Sequence, residues 1–109
     1  MLETIFGSKN RERVLQFILA NGEGYAKEIA DFYGTSIDPI QKQLEKMERG
    51  GVLVSKKVGR TRLFMFNPRY AFLSELKALL EKARSYYSSE EIERLTMTRK
   101  RPRRSGKPL

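Results

Sequence analysis

The sequence predicts a mainly α-helical domain that carries a β-hairpin. Three segments with helical periodicity, each bounded by capping or stop residues, fill the first half of the 109-residue chain. Two β-rich runs, "VLVSKKV" and "RLFMF", follow them and are joined around Gly59. A further apolar helical pattern begins after Pro68. This length corresponds to about one ordinary domain, so these elements are expected to share a modest core.

The first long helix is predicted in "SKNRERVLQFILANG". Ser8 is a suitable N-cap, apolar residues recur at helical spacing between Val14 and Leu19, and Gly22 ends the pattern. A shorter apolar patch, formed by Leu2, Ile5 and Phe6, precedes this helix.

Two more helices follow in quick succession. "YAKEIADFYG" predicts a short helix that ends at Gly34, and Thr35 and Ser36 open the next one in "SIDPIQKQLEKMERGG". Pro39 falls in the first turn of that helix, where a missing N–H removes no internal hydrogen bond. Four apolar residues of this helix are predicted to form its inward stripe: Ile37, Ile40, Leu44 and Met47.

The order of these elements predicts the architecture. Two helices separated only by "GTS" form a tight helix-turn-helix, and the helix before them closes the core. Because a hairpin follows directly, the pattern is that of a winged helix-turn-helix: mainly α with a β-hairpin wing, a three-helix core and a C-terminal helix. Residues 1–68 are predicted to form this DNA-binding domain.

The hairpin is rich in cations and lacks acids between Lys56 and Arg62. In a winged helix the third helix enters the major groove while the wing runs along the DNA backbone, where phosphate contacts need cations. The alternative is a solvated, charged hairpin that protects a sheet edge from aggregation. The predicted wing contacts are Lys56, Lys57, Arg60, Thr61 and Arg62.

The third helix is the candidate recognition helix. If its apolar stripe points inward, a rotation of about 100° per residue directs a polar face outward. Glutamine can pair with adenine and lysine with guanine at the base edges, although any surface helix carries a polar face. The predicted contacts here are Thr35, Ser36, Asp38, Gln41, Lys42 and Lys46.

Residues 69–98 are predicted to form C-terminal helices with a separate role. Their apolar stripe is predicted to cover the first helix in part and to pair with its own copy in a homodimer; the alternative is that it packs only on its own domain. Ser88 and Glu91 match a capping box that starts a last short helix. The predicted dimer-interface residues are Leu73, Leu76, Leu80, Ala83 and Tyr87.

The positive charge is concentrated at the C-terminus. The chain has a net charge of +9, of which residues 1–98 contribute only +3. Residues 99–109 are predicted to form a disordered basic tail that suits a polyanion, or that is simply solvated. Its predicted DNA contacts are Arg99, Lys100, Arg101, Arg103 and Arg104.

This sequence lacks the residues that several classes of function require. The chain has no cysteine and no histidine, so no metal site and no cofactor are predicted. No arrangement of acids, bases or glycine-rich loops indicates catalysis, and no catalytic residue is predicted. Neither a secretion signal nor an apolar run of roughly 20 residues is present, which favours a cytoplasmic protein without a membrane partner.

The opening "IFGSKNRERVLQFIL" and the following "YAKEIADFYGTSIDPIQKQLEKMERGGVLVSKKVGRTRLFMFNP" resemble the winged helix-turn-helix of ArsR-type transcription regulators, in particular short stand-alone members. The resemblance covers residues 8–68 and implies the fold and binding of double-stranded DNA. It does not extend to metal sensing, because the Cys and His ligands are absent. Asp38 and Pro39 replace the small residues usual early in the recognition helix, so a base preference is not implied either.

Three hypotheses for the function follow. The first is a dimeric, sequence-specific DNA-binding transcription regulator. The second is a protein-interaction adaptor, for example the partner of a nucleotidyltransferase-type protein, since small winged helices of this kind resemble ones fused or paired with such partners and many winged helices bind proteins. The third is an RNA-binding protein whose arginine-rich tail dominates binding.

Overall fold

The computed structural model describes residues 1–97 of the chain. Within that part, the elements are α1 (Glu3–Phe6), α2 (Lys9–Asn21), β1 (Gly24–Tyr25), α3 (Ala26–Tyr33), α4 (Ile37–Arg49), β2 (Leu53–Val58), β3 (Thr61–Phe66), α5 (Leu73–Arg84) and α6 (Ser89–Met97). This order, with α3 and α4 as the helix-turn-helix and β2–β3 as the wing, is a winged helix-turn-helix. The predicted fold class is confirmed.

The wing belongs to a three-stranded antiparallel sheet in the order β1-β3-β2. A two-residue turn joins β2 to β3, and its first residue, Gly59, has a φ of +62°, which costs glycine little. The strand β1 was not predicted from the sequence. Its two residues pair with Phe64 and Leu63 of β3, and so short a segment leaves no alternating pattern to recognise.

The helix boundaries follow local hydrogen bonding. Ser8 Oγ accepts a 3.2 Å bond from the N–H of Arg11 at the start of α2, as its capping pattern predicts. The backbone N–H of Ser88 donates to Glu91, and the N–H of Glu91 donates to Ser88 Oγ, which closes the predicted capping box before α6. Pro39 is the third residue of α4, within its first turn.

The core is organised around α2. Its side chains from Val14 to Ile18 are all buried, and helices α4, α5 and α6 and the sheet pack around it. Ile40 and Leu44 of α4 lie fully inside this core, and Phe64 contributes from β3. The inner face of α4 is therefore packed in the hydrophobic core.

One member of the predicted inward stripe of α4 lies elsewhere. Ile37 is 42% exposed, whereas Ile40 and Leu44 are completely buried. Ile37 is the first residue of α4, and contact with the core begins one turn later. The interpretation of Ile37 as a core residue was wrong.

The C-terminal helices pack on the same core as the winged helix. Leu80 is fully buried and Ala83 is 3% exposed, both within the core formed with α2. Leu76 is partly buried against that core, and the Tyr87 hydroxyl donates a 2.7 Å bond to Glu12 of α2. Leu80 and Ala83 are therefore reassigned from a dimer interface to the core of this chain, because almost none of their surface is exposed to a partner.

Candidate nucleic-acid interface

The wing presents its cations on both faces and at its tip. The register places Lys57 opposite Arg62 on one face of the hairpin, Lys56 on the other face and Arg60 in the turn. The hydroxyl of Thr61 donates a 2.9 Å bond to the carbonyl of Val58 and closes the turn. All five predicted wing residues are exposed: Lys56, Lys57, Arg60, Thr61 and Arg62.

The wing cations have no carboxylate partner among residues 1–97. The salt bridges within that range join the α-amino group of Met1 to Glu3 and Glu12, and Lys27 to Asp31. Within that range, four cations therefore surround a short hairpin without a direct ion pair. Such a surface attracts phosphates, because binding there releases condensed counterions.

One wing cation is linked to α4 through Ser55. Arg62 Nη1 donates to Ser55 Oγ at 3.2 Å, and Ser55 Oγ donates to the carboxylate of Glu48 at 2.7 Å. Glu48 lies in the last turn of α4, so this chain of hydrogen bonds joins the wing to the end of that helix. The sequence analysis did not assign Ser55 or Glu48, and no periodicity in the sequence indicates their contact.

The outer face of α4 is polar and of mixed charge. Asp38, Lys42 and Lys46 are exposed there. Gln41 is half-buried, and its side-chain amide donates a 3.0 Å bond to Glu45 one turn later. The predicted base-reading residue is thus already held in one orientation within the free chain.

The start of this face is set by the turn between α3 and α4. Ser36 is exposed and Thr35 is half-buried, and the N–H of Thr35 donates to the carbonyl of Ala30 at 3.0 Å. Ser36 occupies the N-cap position of α4, but its side chain forms no capping bond. Its hydroxyl is available to a partner.

The remaining glutamine of α4 has a structural role. Arg11 Nε donates a 2.9 Å bond to Gln43 Oε1, and Arg11 Nη1 donates a 2.6 Å bond to the carbonyl of Phe6. This bridge fixes α4 against α2 and α1. Gln43 is therefore turned towards the protein, whereas Gln41 lies on the outer face.

Other predicted features lie outside these contacts. The tail residues Arg99, Lys100, Arg101, Arg103 and Arg104 fall beyond the described part of the chain. Residues 1–97 contain no group of three or more acidic side chains placed to hold a metal ion. None of the helices in that range is both long and apolar enough to cross a bilayer.

Comparison with known proteins supports the fold. No family model and no curated protein matches the chain. A solved structure of ZitR from Lactococcus lactis, a double mutant in its apo form, matches with a TM-score of 0.54 at 17% sequence identity. The match covers 84% of this chain and 78% of the ZitR chain. At this identity the likeness concerns the fold, and it agrees with the winged helix-turn-helix described above.

Proposed function

We propose that this protein is a sequence-specific transcriptional regulator that binds double-stranded DNA. The observation that carries the proposal is the group of wing cations, exposed and without carboxylate partners within residues 1–97, beside a polar helix face. In a winged helix, a hairpin in this position meets the phosphate backbone while the second helix of the helix-turn-helix enters the major groove.

In the proposed complex the two elements have different roles. Gln41 and Lys42 reach base edges from α4, because amide and ammonium groups match the donor and acceptor pattern of adenine and guanine. Arg60 and Arg62 contact phosphates, which position the protein and supply affinity without reading sequence. The basic tail, residues 99–109, adds further phosphate contacts.

The regulator is proposed to act as a homodimer, since two-fold proteins read paired half-sites about one helical turn apart. With Leu80 and Ala83 in the core, Phe72 and Leu73 at the start of α5 remain as exposed or half-exposed apolar surface for the contact. The protein is further proposed to be cytoplasmic and to act by binding rather than by catalysis.

The deciding experiment is selection from a pool of random duplex DNA by the purified protein at about 150 mM salt, with its mass measured by light scattering. Enrichment of a two-fold-symmetric motif bound by a dimer is the expected result. Binding without enrichment, or by a monomer, would contradict the proposal.

A second candidate function is that of a protein-interaction adaptor. Phe72 and Tyr86 are 63% and 64% exposed, and Phe72 packs edge-to-face on Tyr70 with ring centroids 5.8 Å apart. Exposed aromatic residues of this kind are enriched where proteins bind each other. A monomer without DNA preference that binds a protein through the start of α5, and loses that binding in Phe72→Ala, would favour the adaptor.

A further inference from the structure

A cavity of about 360 Å³ lies between the N-terminus with α1 and the helices α2, α3 and α6, with none of its lining in α4 or in the wing. Glu12 and Arg13 line it from α2, Phe32 and Tyr33 from α3, and Arg94 from α6. This volume lies in the range of small-molecule pockets. The lining therefore combines charged groups with aromatic rings around a space that can hold a small ligand.

The acidic groups of the cavity already have donors from the chain. Glu12 is buried; one of its oxygens accepts from the N–H of Leu2 and the other from the Tyr87 hydroxyl, both at 2.7 Å. Burial opposes ionisation of Glu12, but these bonds and the α-amino group of Met1 hold its pKa below the usual value. Glu91 accepts a 2.9 Å bond from the N–H of Ser88, and Glu3 accepts a 3.1 Å bond from the α-amino group of Met1. The negative charges are thus compensated from within.

The two arginines of the cavity lie over aromatic rings. The Arg13 guanidinium lies over the Tyr33 ring, 5.2 Å from its centroid, and the Arg94 guanidinium lies over Phe32 at 4.0 Å. Arg13 Nη1 donates to Asn10 Oδ1 at 3.1 Å, and no carboxylate within residues 1–97 forms a salt bridge with Arg13. Because a guanidinium has five N–H donors in a planar fork, Arg13 can still hold a planar anion.

A neutral donor stands beside this cation. The hydroxyl of Tyr33 forms no hydrogen bond with any of residues 1–97, although its side chain lines the cavity. Burial raises the pKa of Tyr33, so the phenol stays protonated at neutral pH and can donate. The Phe32 and Tyr33 rings meet edge-to-face at 4.8 Å and form an apolar wall next to it.

We propose that this cavity binds a small aromatic carboxylate. Its carboxylate accepts hydrogen bonds from Arg13 and from the Tyr33 hydroxyl, and its ring packs against Phe32 and Tyr87. A guanidinium fork matches a carboxylate in shape and charge, whereas a cationic ligand would face Arg13 and Arg94. The aromatic walls favour a flat apolar body over an aliphatic or strongly hydrated anion.

The cavity also lies where a ligand can act on the DNA-binding surface. Phe32 and Tyr33 form the last turn of α3, and only Gly34, Thr35 and Ser36 separate them from α4. A ligand that favours one position of this turn changes the placement of α4. This second step rests on the proposed function in DNA binding, whereas the binding of the carboxylate does not.

The binding test compares three probes of the same shape by titration calorimetry of the full chain: benzoate, neutral benzamide and cationic benzamidine. Benzoate is expected to bind with a Kd below about 1 mM, from the usual affinity per atom of small ligands. Benzamide and benzamidine are expected to bind at least about tenfold more weakly, since they lose the charge-assisted bond. Equal or tighter binding of either one, or no heat from benzoate up to about 10 mM, would overturn the proposal.

Two variants locate the site. Arg13→Gln is expected to weaken the binding of benzoate about tenfold. Tyr33→Phe is expected to weaken it about fivefold, because this substitution removes only a neutral hydrogen bond. Arg69→Gln and Tyr70→Phe are matched controls outside the cavity and are expected to leave the Kd unchanged. If Tyr33→Phe binds benzoate like the parent chain, or if the controls weaken it equally, the site is wrongly assigned. Tyr33→Phe keeps this test decisive even if Arg13→Gln fails to fold.

The coupling is measured separately, with the DNA selected by the protein. Saturating benzoate is expected to change the Kd for DNA at least about fivefold, and DNA must then change the Kd for benzoate by the same factor. Unchanged DNA affinity with intact benzoate binding would overturn the coupling alone. Failure to bind any DNA would overturn the proposed function while the calorimetry still decides the binding site.

Discussion

The wing and α4 lie in contact but are built in opposite ways. The inner face of α4 is anchored by Ile40 and Leu44 in the core, and its outer face mixes acids and bases. The wing tip beyond Ser55 has no buried side chain on β2 and carries cations without acids. The helix is thus anchored and close to neutral in net charge, whereas the wing is strongly positive and projects from the core.

Under the proposed function, this difference separates two tasks in DNA binding. Reading bases requires side chains held in place on a rigid element, which α4 provides. Attracting phosphates requires positive charge more than fixed geometry, which the wing provides. We therefore expect changes in α4 to affect folding or sequence preference, and changes in the wing to affect affinity for all sequences alike.

The largest effect is expected for Leu44→Ala on the inner face of α4. Leu44 is fully buried, so the truncation leaves a cavity in the core and is expected to lower the free energy of unfolding by about 2–5 kcal/mol. Denaturant titration followed by circular dichroism measures it. Arg60→Ala at the exposed wing tip is the control and is expected to stay within about 0.5 kcal/mol of the parent. Equal stability losses would remove the distinction between anchored helix and projecting wing.

The next largest effect is expected for the double variant Arg60→Ala, Arg62→Ala. Each lost phosphate contact removes about 0.9 from the slope of log K against log salt, so the slope falls by about two and affinity near 150 mM salt falls roughly 30-fold. Fluorescence anisotropy on specific and random duplexes measures both quantities. Lys77→Ala with Lys82→Ala removes the same charge from α5 and serves as the control. An unchanged slope in the wing variant would show that the wing does not touch DNA.

The sequence predicted the parts of this surface that follow from spacing and charge. The capping residues, the inward positions Ile40 and Leu44, and the exposed wing cations all arise from patterns local to one element. The packing partner of the apolar residues on α5 could not be predicted in this way. Periodicity shows that Leu80 and Ala83 face an apolar surface, but not whether that surface belongs to the same chain.

The contacts between elements could not be predicted from the sequence either. The bridge from Arg11 to Gln43 and the chain of bonds from Arg62 through Ser55 to Glu48 depend on how helices and hairpin pack together. Such polar contacts have no period and no fixed spacing. Gln41 and Gln43 are two residues apart on α4, yet only the structure shows that one is held by Glu45 and the other by Arg11.

These two glutamines provide the third prediction. Gln41→Ala is expected to change the preferred base at one position of the half-site, with about 1–3 kcal/mol of discrimination lost there and the salt slope unchanged. Repeating the duplex selection with the variant measures this change. Gln43→Ala is the matched control, because its side chain contacts Arg11, and it is expected to keep the base preference. A uniform loss of affinity for all sequences in Gln41→Ala would count against base reading at this position.

The smallest effect is expected for Ser55→Ala, where the wing and α4 meet. Without the Ser55 hydroxyl, Arg62 loses the contact that orders it in the free chain, and binding must then fix a more mobile side chain at a cost of about 0.5–1 kcal/mol. Affinity is therefore expected to fall about threefold. The salt slope stays constant, because the number of cations on the wing does not change. Ser74→Ala on α5 is the control. A lower slope in Ser55→Ala would mean that Arg62 reaches phosphate only while Ser55 and Glu48 hold it, so that the wing depends on α4 for geometry as well as for anchoring.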